Sequence, residues 1–372
     1  MRKLKILELT NFSAGTCGVW QRVKQESELL SKKHELKIFS SNAVKGSNEL
    51  ALTNEKIGKI KIQRFPFMKL GGEGYLYWNF KKEALRFNPD VIIAHSYRLP
   101  HTVKALKIAK RINSKVFLVT HAPFIEGNMT RSFFPKFAVG FYDKFIGPRI
   151  INKFDKIITI TKWEMPYLLS MGAKKEKIVY IPNGIPPEFF KQKPLKEKNK
   201  ILFLGRIAPI KNIETIILAM SLIDDKKVIL EIVGPAEKKY FSKLKLLVKE
   251  KKLEKRVIFS DPIYDLKNKI RRIDSSKIFI LPSKREGMPQ ALIEAMARKK
   301  IVIASKNPGN VDLIEDGKTG YLFEVGDHIG LANKINLGLK KSIENKKIEY
   351  NAKNSVKKFN WNDVISKLEK II

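Results

Sequence analysis

Short apolar runs alternate with helix-patterned stretches along nearly the whole chain, which predicts an α/β protein of two doubly wound parallel sheets. Two further observations support the prediction. The apolar runs end in glycine, histidine or Asp-Pro loops that lead into helices rather than into tight hairpin turns. The alternation is also interrupted once, by Ile181-Pro182-Asn183-Gly184-Ile185-Pro186-Pro187 and a lysine-rich stretch to Lys200, which reads as an interdomain linker. With 372 residues there is chain enough for two ordinary cores. The boundaries expected are 1–185 for the first domain, 186–199 for the linker and 200–358 for the second, with 359–372 as a terminal helix.

In the first half, Leu4–Leu9 is the opening strand, and a helix follows to about Lys33. Glu35–Phe39, Ile60–Phe65, Asp90–Ala94, Val116–Thr120 and Lys156–Thr161 are the later strands. Ligands of such sheets bind beyond the carboxyl ends of strands. The loops of interest are therefore Gly15–Gly18, His95–Pro100 and His121–Phe124. Gly15 and Gly18 flank Thr16-Cys17 and would let the backbone approach a ligand, although a strand-to-helix turn needs glycine anyway. His95 and His121 each end an apolar strand, in VIIAHSY and VFLVTHAP, and are two of only five histidines. A structural hydrogen bond is the ordinary role of such a residue; the shared position at ligand-facing ends points to function instead.

Two aromatic stretches stand out. In Arg131–Lys153, Phe133, Phe137, Phe141 and Phe145 recur every fourth residue and share one helical stripe among basic residues. The stripe either packs on the sheet or meets anionic lipid. Phe65–Phe80 is expected as an aromatic loop that borders a pocket or packs.

In the second half, Ile201–Leu204 runs into Gly205-Arg206 and, five residues on, Lys211. Gly205 permits a tight exit from the strand, Arg206 can fork two N–H groups onto phosphate oxygens, and Lys211 adds a point charge. Val228–Val233 and Val257–Ser260 are the next strands, followed by the buried run Lys277–Pro282. That run leads through Glu286-Gly287-Met288-Pro289 into a helix apolar almost all round, with Glu294 in its second turn. Pro289 suits the first helical position, and the helix N-terminus suits a phosphate. A buried carboxylate needs donors, and sugar and ribose hydroxyls are the expected donors for Glu286 and Glu294. A strand Ile301–Ala304, the segment Asn307-Pro308-Gly309-Asn310-Val311-Asp312 and Asp316-Gly317-Lys318-Thr319-Gly320-Tyr321-Leu322 complete this half.

These motifs carry a family resemblance. The segment from Glu286 to Glu294 resembles the E-x7-E motif of retaining GT-B glycosyltransferases of family GT4, and Gly205 to Lys211 resembles their G-R-x4-K segment. The Asn183-Gly184-Ile185 linker and the Asn307–Leu322 stretch match as well, with Pro186 and Asp312 where aspartate and glutamate are usual. The resemblance implies two Rossmann-like domains facing across a cleft and a terminal helix that returns to the first domain. It implies that Arg206 and Lys211 clamp a nucleotide diphosphate, that Glu286 and His121 serve the transferred sugar, and that Glu294 holds the ribose. Gly205, Gly287, Met288 and Pro289 would line the donor site, while Gly15, Gly18 and His95 lie towards acceptor and phosphate. The expected activity is sugar transfer from a nucleotide-activated donor to a glycan or lipid-linked acceptor, with retention. An epimerase, a phosphorylase or a non-catalytic subunit of the same fold are the alternatives.

Composition and absences narrow the partners. There is no Asp-x-Asp at a strand end, no phosphate-loop signature, no G-x-G-x-x-G after the first strand and no Cys/His metal spacing, so no metal and no cofactor are expected. Cys17 is the single cysteine, which excludes a disulfide framework and suggests a cytoplasmic protein. No apolar run approaches a membrane span. The net charge of +36 fits either an anionic membrane surface, on its inner face, or a lysine-rich composition. Nucleic acid is not expected, because it leaves the paired motifs unexplained.

Overall fold

The structure is a computed structural model and describes residues 2–15, 17–71, 74–124, 139–191 and 197–372. Thr16, Phe133 and Phe137 lie outside the described residues. The chain divides into two compact units, Met1–Asn183 with Asn362–Ile372, and Gly184–Trp361.

The first unit holds an eight-stranded sheet in the order β10-β9-β8-β7-β1-β2-β4-β3. Its strands are β1 (Lys5–Phe12), β2 (Glu35–Ser41), β3 (Asn54–Ile57), β4 (Ile60–Phe65), β7 (Val91–His95), β8 (Lys115–Val119), β9 (Lys156–Thr159) and β10 (Ile178–Tyr180). All neighbours run parallel except β3 and β4. The central strands are buried along almost their whole length, since a parallel sheet is covered on both faces. Their apolar sequences meet that demand. The sheet order reverses at β1, which pairs with β7 on one side and β2 on the other. A crevice beyond the carboxyl ends of these strands is the expected ligand position.

Phe65–Phe80 is not a loop. It forms an antiparallel hairpin of β5 (Phe67–Gly71) and β6 (Tyr75–Trp78). Leu76 and Trp78 are buried while Tyr75 and Tyr77 are exposed, a period of two that aromatic residues on both faces conceal in the sequence. The short strands β3 and β10 also escaped the reading, because NEKI and IVY offer no apolar run long enough to stand out.

The second unit carries a six-stranded, all-parallel sheet, ordered β13-β12-β11-β14-β15-β16. The strands are β11 (Lys200–Leu204), β12 (Ile229–Val233), β13 (Val257–Ser260), β14 (Ile278–Leu281), β15 (Ile301–Ser305) and β16 (Tyr321–Phe323). The reversal here falls between β11 and β14, so the loops that leave these two strands flank the switch point. Part of the stretch read as a linker is folded. Ile185 and Phe189 belong to this unit's core, and the buried Arg298 bonds Phe189 O while pairing with Asp274 at 2.6 Å. The two-unit α/β architecture expected from the sequence is thus present. Among the described residues, no helix is long and apolar enough to cross a membrane.

Candidate active site

In the second unit the two loops that flank the switch point are tied together. Gly205 and Arg206 follow β11, and Lys211 ends a 3-10 turn, Pro209–Lys211, whose successor Asn212 takes a left-handed φ of 51°. The loop after β14 joins it through Lys284 N, which donates to Ile210 O at 2.9 Å. Gly234, at φ +149°, lies so near that a Cβ there would sit 2.0 Å from Gly205 O; no other residue fits at that strand end. The Glu286 carboxylate accepts from Lys211 Nζ at 2.5 Å and from Ser283 Oγ at 2.6 Å.

Beneath this loop lies the Asn307–Asn310 segment. Asn307 Nδ2 donates to Ser283 O at 3.0 Å. A Cβ on Gly309 would meet Gly287 O at 2.4 Å and Glu286 O at 2.5 Å. The segment is therefore a backing that fixes the Ser283–Gly287 turn. Asp312, at its end, is half-buried. Gly287 and Met288 continue the turn, and Pro289 stands at the cap of the Gln290–Ala297 helix, one place outside the first helical position expected.

Glu294 is buried in that helix, and burial pushes its carboxyl upwards while Lys269 offsets the shift. Lys269 Nζ lies 2.7 Å from Oε1, in hydrogen-bond geometry, and 2.6 Å from Oε2, off-axis for a bond. Ligand hydroxyls were expected to satisfy both glutamates. The chain itself engages both, with Lys211 and Ser283 on Glu286 and Lys269 on Oε1 of Glu294, while Glu294 Oε2 has no hydrogen bond among the described residues. Lys269 was missed because it stands in a lysine- and arginine-rich helix, Leu266–Asp274, where nothing marks one cation from its neighbours. Arg206 is half exposed and rests 3.4 Å from Glu237.

In the first unit His95 and His121 come together. His95 Nδ1 and His121 Nε2 are 2.8 Å apart, and His95 Nε2 lies 2.7 Å from Glu8 Oε2. Glu8 sits mid-strand in β1, register partner of Ile93, so it shares a sheet face with Ile93 and His95. The Gly18–Leu30 helix adds Arg22 and Glu26, one turn apart and joined at 3.0 Å, both without exposed surface. Arg22 Nη1 also donates to Asn183 Oδ1 at 2.9 Å and Ile181 O at 3.2 Å. His121 is half-buried and takes a left-handed φ of 61°, followed by Ala122 at 53°. Strain of that kind persists only where its surroundings fix it. Glu164 supplies the fixing: its carboxylate accepts from Thr120 Oγ1 at 2.5 Å, Ala122 N at 2.7 Å and Ile160 N at 3.0 Å.

Burial pushes the Glu8 carboxyl up to about 8, against the nearby Arg22 charge. The same burial brings His95 down to about 3 and His121 well below its usual range, so both imidazoles are neutral at pH 7. Glu8, Arg22, Glu26 and Glu164 went unremarked in the sequence. A charged residue in the middle of the KILELTNF strand was the available signal. Removal of Arg22 would strand Glu26 as an uncompensated buried charge. Arg22→Met is expected to lower unfolding stability by about 3–5 kcal/mol, measurable by urea denaturation. A loss below about 1 kcal/mol, the worth of an exposed pair, would contradict that account.

Gly15 has φ +81°, and a Cβ there would fall 2.3 Å from Lys45 O, so its requirement is structural; around Gly18 there is open space. Of the aromatic stripe, Phe141 and Phe145 are described. Both are exposed, with ring centroids 4.9 Å apart, at a π-helical turn Tyr142–Ile146. Arg98 Nε donates to Asp143 at 2.7 Å, which neutralises the one acid between them.

Two α/β units, one with a basic and acidic loop pair at its switch point and the other with a histidine pair at strand ends, are compatible with the glycosyltransferase class, which the family models identify. The chain belongs to glycosyltransferase family 4: residues 17–189 match the model "Glycosyltransferase Family 4" and residues 185–355 match "Glycosyl transferases group 1". It is 26% identical to the uncharacterized glycosyltransferase MJ1069 of Methanocaldococcus jannaschii, over 100% of this chain and 98% of that one. It is 23% identical to the capsular polysaccharide biosynthesis glycosyltransferase CapH of Staphylococcus aureus, over 80% of each. The crystal structure of Anabaena HepE with UDP and glucose superposes with a TM-score of 0.77, at 17% identity, over 99% of this chain and 98% of that one. The GT-B fold expected from the motifs is therefore present.

Proposed function

We propose that the protein transfers a sugar from a nucleotide-activated donor to a hydroxyl of a glycan or lipid-linked acceptor, with retention at the anomeric carbon and without a metal ion. The observation that carries this reading is the Lys211–Glu286 contact between the two loops that flank the β11–β14 switch point, with Arg206 on the first of them. Two cations on these loops suit a diphosphate, whose leaving charge they would neutralise. The solved relative bound to UDP supports a uridine nucleotide as the first donor to try. Glu286 and His121 are assigned to hydroxyls of the transferred sugar, and Glu294 to the ribose. In the reaction the bond from the anomeric carbon to the phosphate oxygen breaks and a bond to the acceptor oxygen forms. The acceptor proton passes to the departing phosphate on the same face.

A thermal-shift panel of UDP-, GDP- and ADP-sugars, followed by transfer assays on the responding donor, tests the reading. One nucleotide class should raise Tm and be consumed. Absence of both a shift and donor turnover across the panel would overturn it.

We also propose that the acceptor is met at an anionic membrane surface. The capsular polysaccharide role of one relative fits a lipid-linked acceptor. Phe141, Phe145 and Ile146 are exposed beside Lys144 and Arg149, while Arg98 holds the neighbouring Asp143. A cavity of about 340 Å³ lined by Phe12, Val44, Phe67 and Lys69 opens beside the exit of β1 and is the proposed acceptor pocket. Each basic residue near an anionic surface contributes ~1 kcal/mol. Flotation with anionic vesicles should carry the protein upwards at low salt and release it at high salt, and a Lys144→Glu, Phe145→Ser variant should float less. Equal recovery with neutral and anionic vesicles would end the membrane reading.

A further inference from the structure

One carboxyl oxygen each of Glu8 and Glu26 and one ring nitrogen of His95 lie within 4.8 Å of one another, and all three side chains have no exposed surface. Two of their atoms, Glu8 Oε1 and Glu26 Oε1, have no partner among the described residues. Buried polar atoms in folded proteins are satisfied with few exceptions, so this pair of orphans calls for a shared explanation. One proton held between the two oxygens satisfies both at once. The other oxygens are already engaged, Glu26 Oε2 by Arg22 Nε at 3.0 Å and Glu8 Oε2 by His95 Nε2 at 2.7 Å.

We infer that Glu8 and Glu26 form a proton-sharing carboxyl pair that fixes the tautomers of His95 and His121 and leaves Nδ1 of His121 a bare acceptor. The chain of bonds dictates this. With the proton on Oε1, Glu8 accepts at Oε2, so His95 carries its hydrogen on Nε2. His95 Nδ1 is then a lone pair and accepts from His121 Nε2–H across 2.8 Å. The hydrogen of neutral His121 is thereby used inward, and its Nδ1 can only accept. An outward acceptor selects a hydroxyl and rejects a carbonyl or an unprotonated phosphate oxygen. Glu8 and Glu26 are thus positioning residues for the hydroxyl specificity of His121, a step that rests on the proposed placing of His121 at the sugar.

The electrostatics agree. Arg22 balances one carboxylate of the pair and leaves no charge for the second, and burial holds the Glu8 proton up to about 8. A divalent cation in the trio would face the Arg22 guanidinium, which opposes it. The other titratable group packed here, His101 on the Pro100–Ile112 helix, gives Nε2–H to His95 O at 2.9 Å and does not enter the relay.

The test uses the free, full-length protein, so that failure of the transferase reading leaves it intact. Nitrogen-15 histidine spectra at about pH 7, assigned with single His→Gln variants, should show both His95 and His121 protonated at Nε2. Glu8→Gln reproduces the protonated carboxyl, since its amide nitrogen can donate to Glu26 and its oxygen accept from His95. That variant should keep both tautomers, whereas Glu8→Met should populate a mixture. Linkage gives a second readout. In the wild type the folded state keeps the Glu8 proton that the unfolded chain releases, so stability is full below about 4.5 and is lost as pH rises through about 8. Relative to wild type, Glu8→Gln should lack one proton's worth of that slope. Protonation of His121 at Nδ1, an identical slope in the two proteins, or one equivalent of bound divalent metal in the purified protein would each overturn the inference.

Discussion

Glu286→Gln is expected to lower kcat for sugar transfer by about 10²–10³-fold, the cost of removing one preorganised charged contact at a reacting centre. Nucleotide affinity should hold or tighten. The reason lies in the free site, where the carboxylate is paired with Lys211 at 2.5 Å and with Ser283 at 2.6 Å. Glutamine keeps the shape and the Ser283 bond but no longer holds the lysine by charge, so the lysine is freed for the diphosphate. Sugar hydroxyls lose their strongest acceptor at the same time. Glu294→Gln should differ in kind, since Lys269 would lose its counter-charge away from the reacting carbon; an increase in donor KM at nearly constant kcat is expected. Steady-state kinetics with the responding donor separates the two. Wild-type rates of transfer and donor hydrolysis in Glu286→Gln would remove that residue from the reaction.

What the sequence disclosed and what it withheld have a common physical cause. Central strands such as β7 and β14 are buried on both faces, so their sequences are continuous apolar runs and their ends fall within a residue or so of the reading. Edge strands β3 and β16 need no such run and were invisible. The same holds at the site. Arg206, Lys211 and Glu286 lie in local motifs that follow strands, and local motifs can be read from the chain. Glu8, Arg22, Glu26 and Glu164 act through contacts made between distant segments. Glu8 reaches His95 across 87 positions and Glu164 reaches Thr120 across 44, distances that no spacing rule encodes. His95 and His121 were each legible as strand-end residues, yet their mutual bond depends on β7 and β8 being sheet neighbours in register, His95 opposite Val119. The polar layer beneath the histidines is therefore a product of topology.

Arg206→Ala and Lys211→Ala should each weaken nucleotide-sugar binding by about 1.5–3 kcal/mol, the range for a hydrogen bond to a charged group. Their starting states differ, which makes the pair informative. Arg206 and Glu237 are both about half exposed, 58% and 49%, and such a pair is worth at most ~1 kcal/mol, so the guanidinium turns to a phosphate at little cost. Lys211 and Glu286 retain only 20% and 11% exposure, and a diphosphate must compete with Glu286 for the ammonium. Loss of the lysine then has two consequences: the phosphate contact goes, and Glu286 keeps Ser283 alone. Lys211→Ala is therefore expected to lower kcat further than Arg206→Ala does, because it also loosens Glu286. A double-mutant cycle of Lys211→Ala with Glu286→Gln should show strong coupling, and one of Arg206→Ala with Glu286→Gln little. Both single variants should flatten the salt dependence of nucleotide binding. Calorimetry on a folded Arg206→Ala, Lys211→Ala double mutant decides the matter: unchanged nucleotide affinity would mean that the diphosphate binds elsewhere.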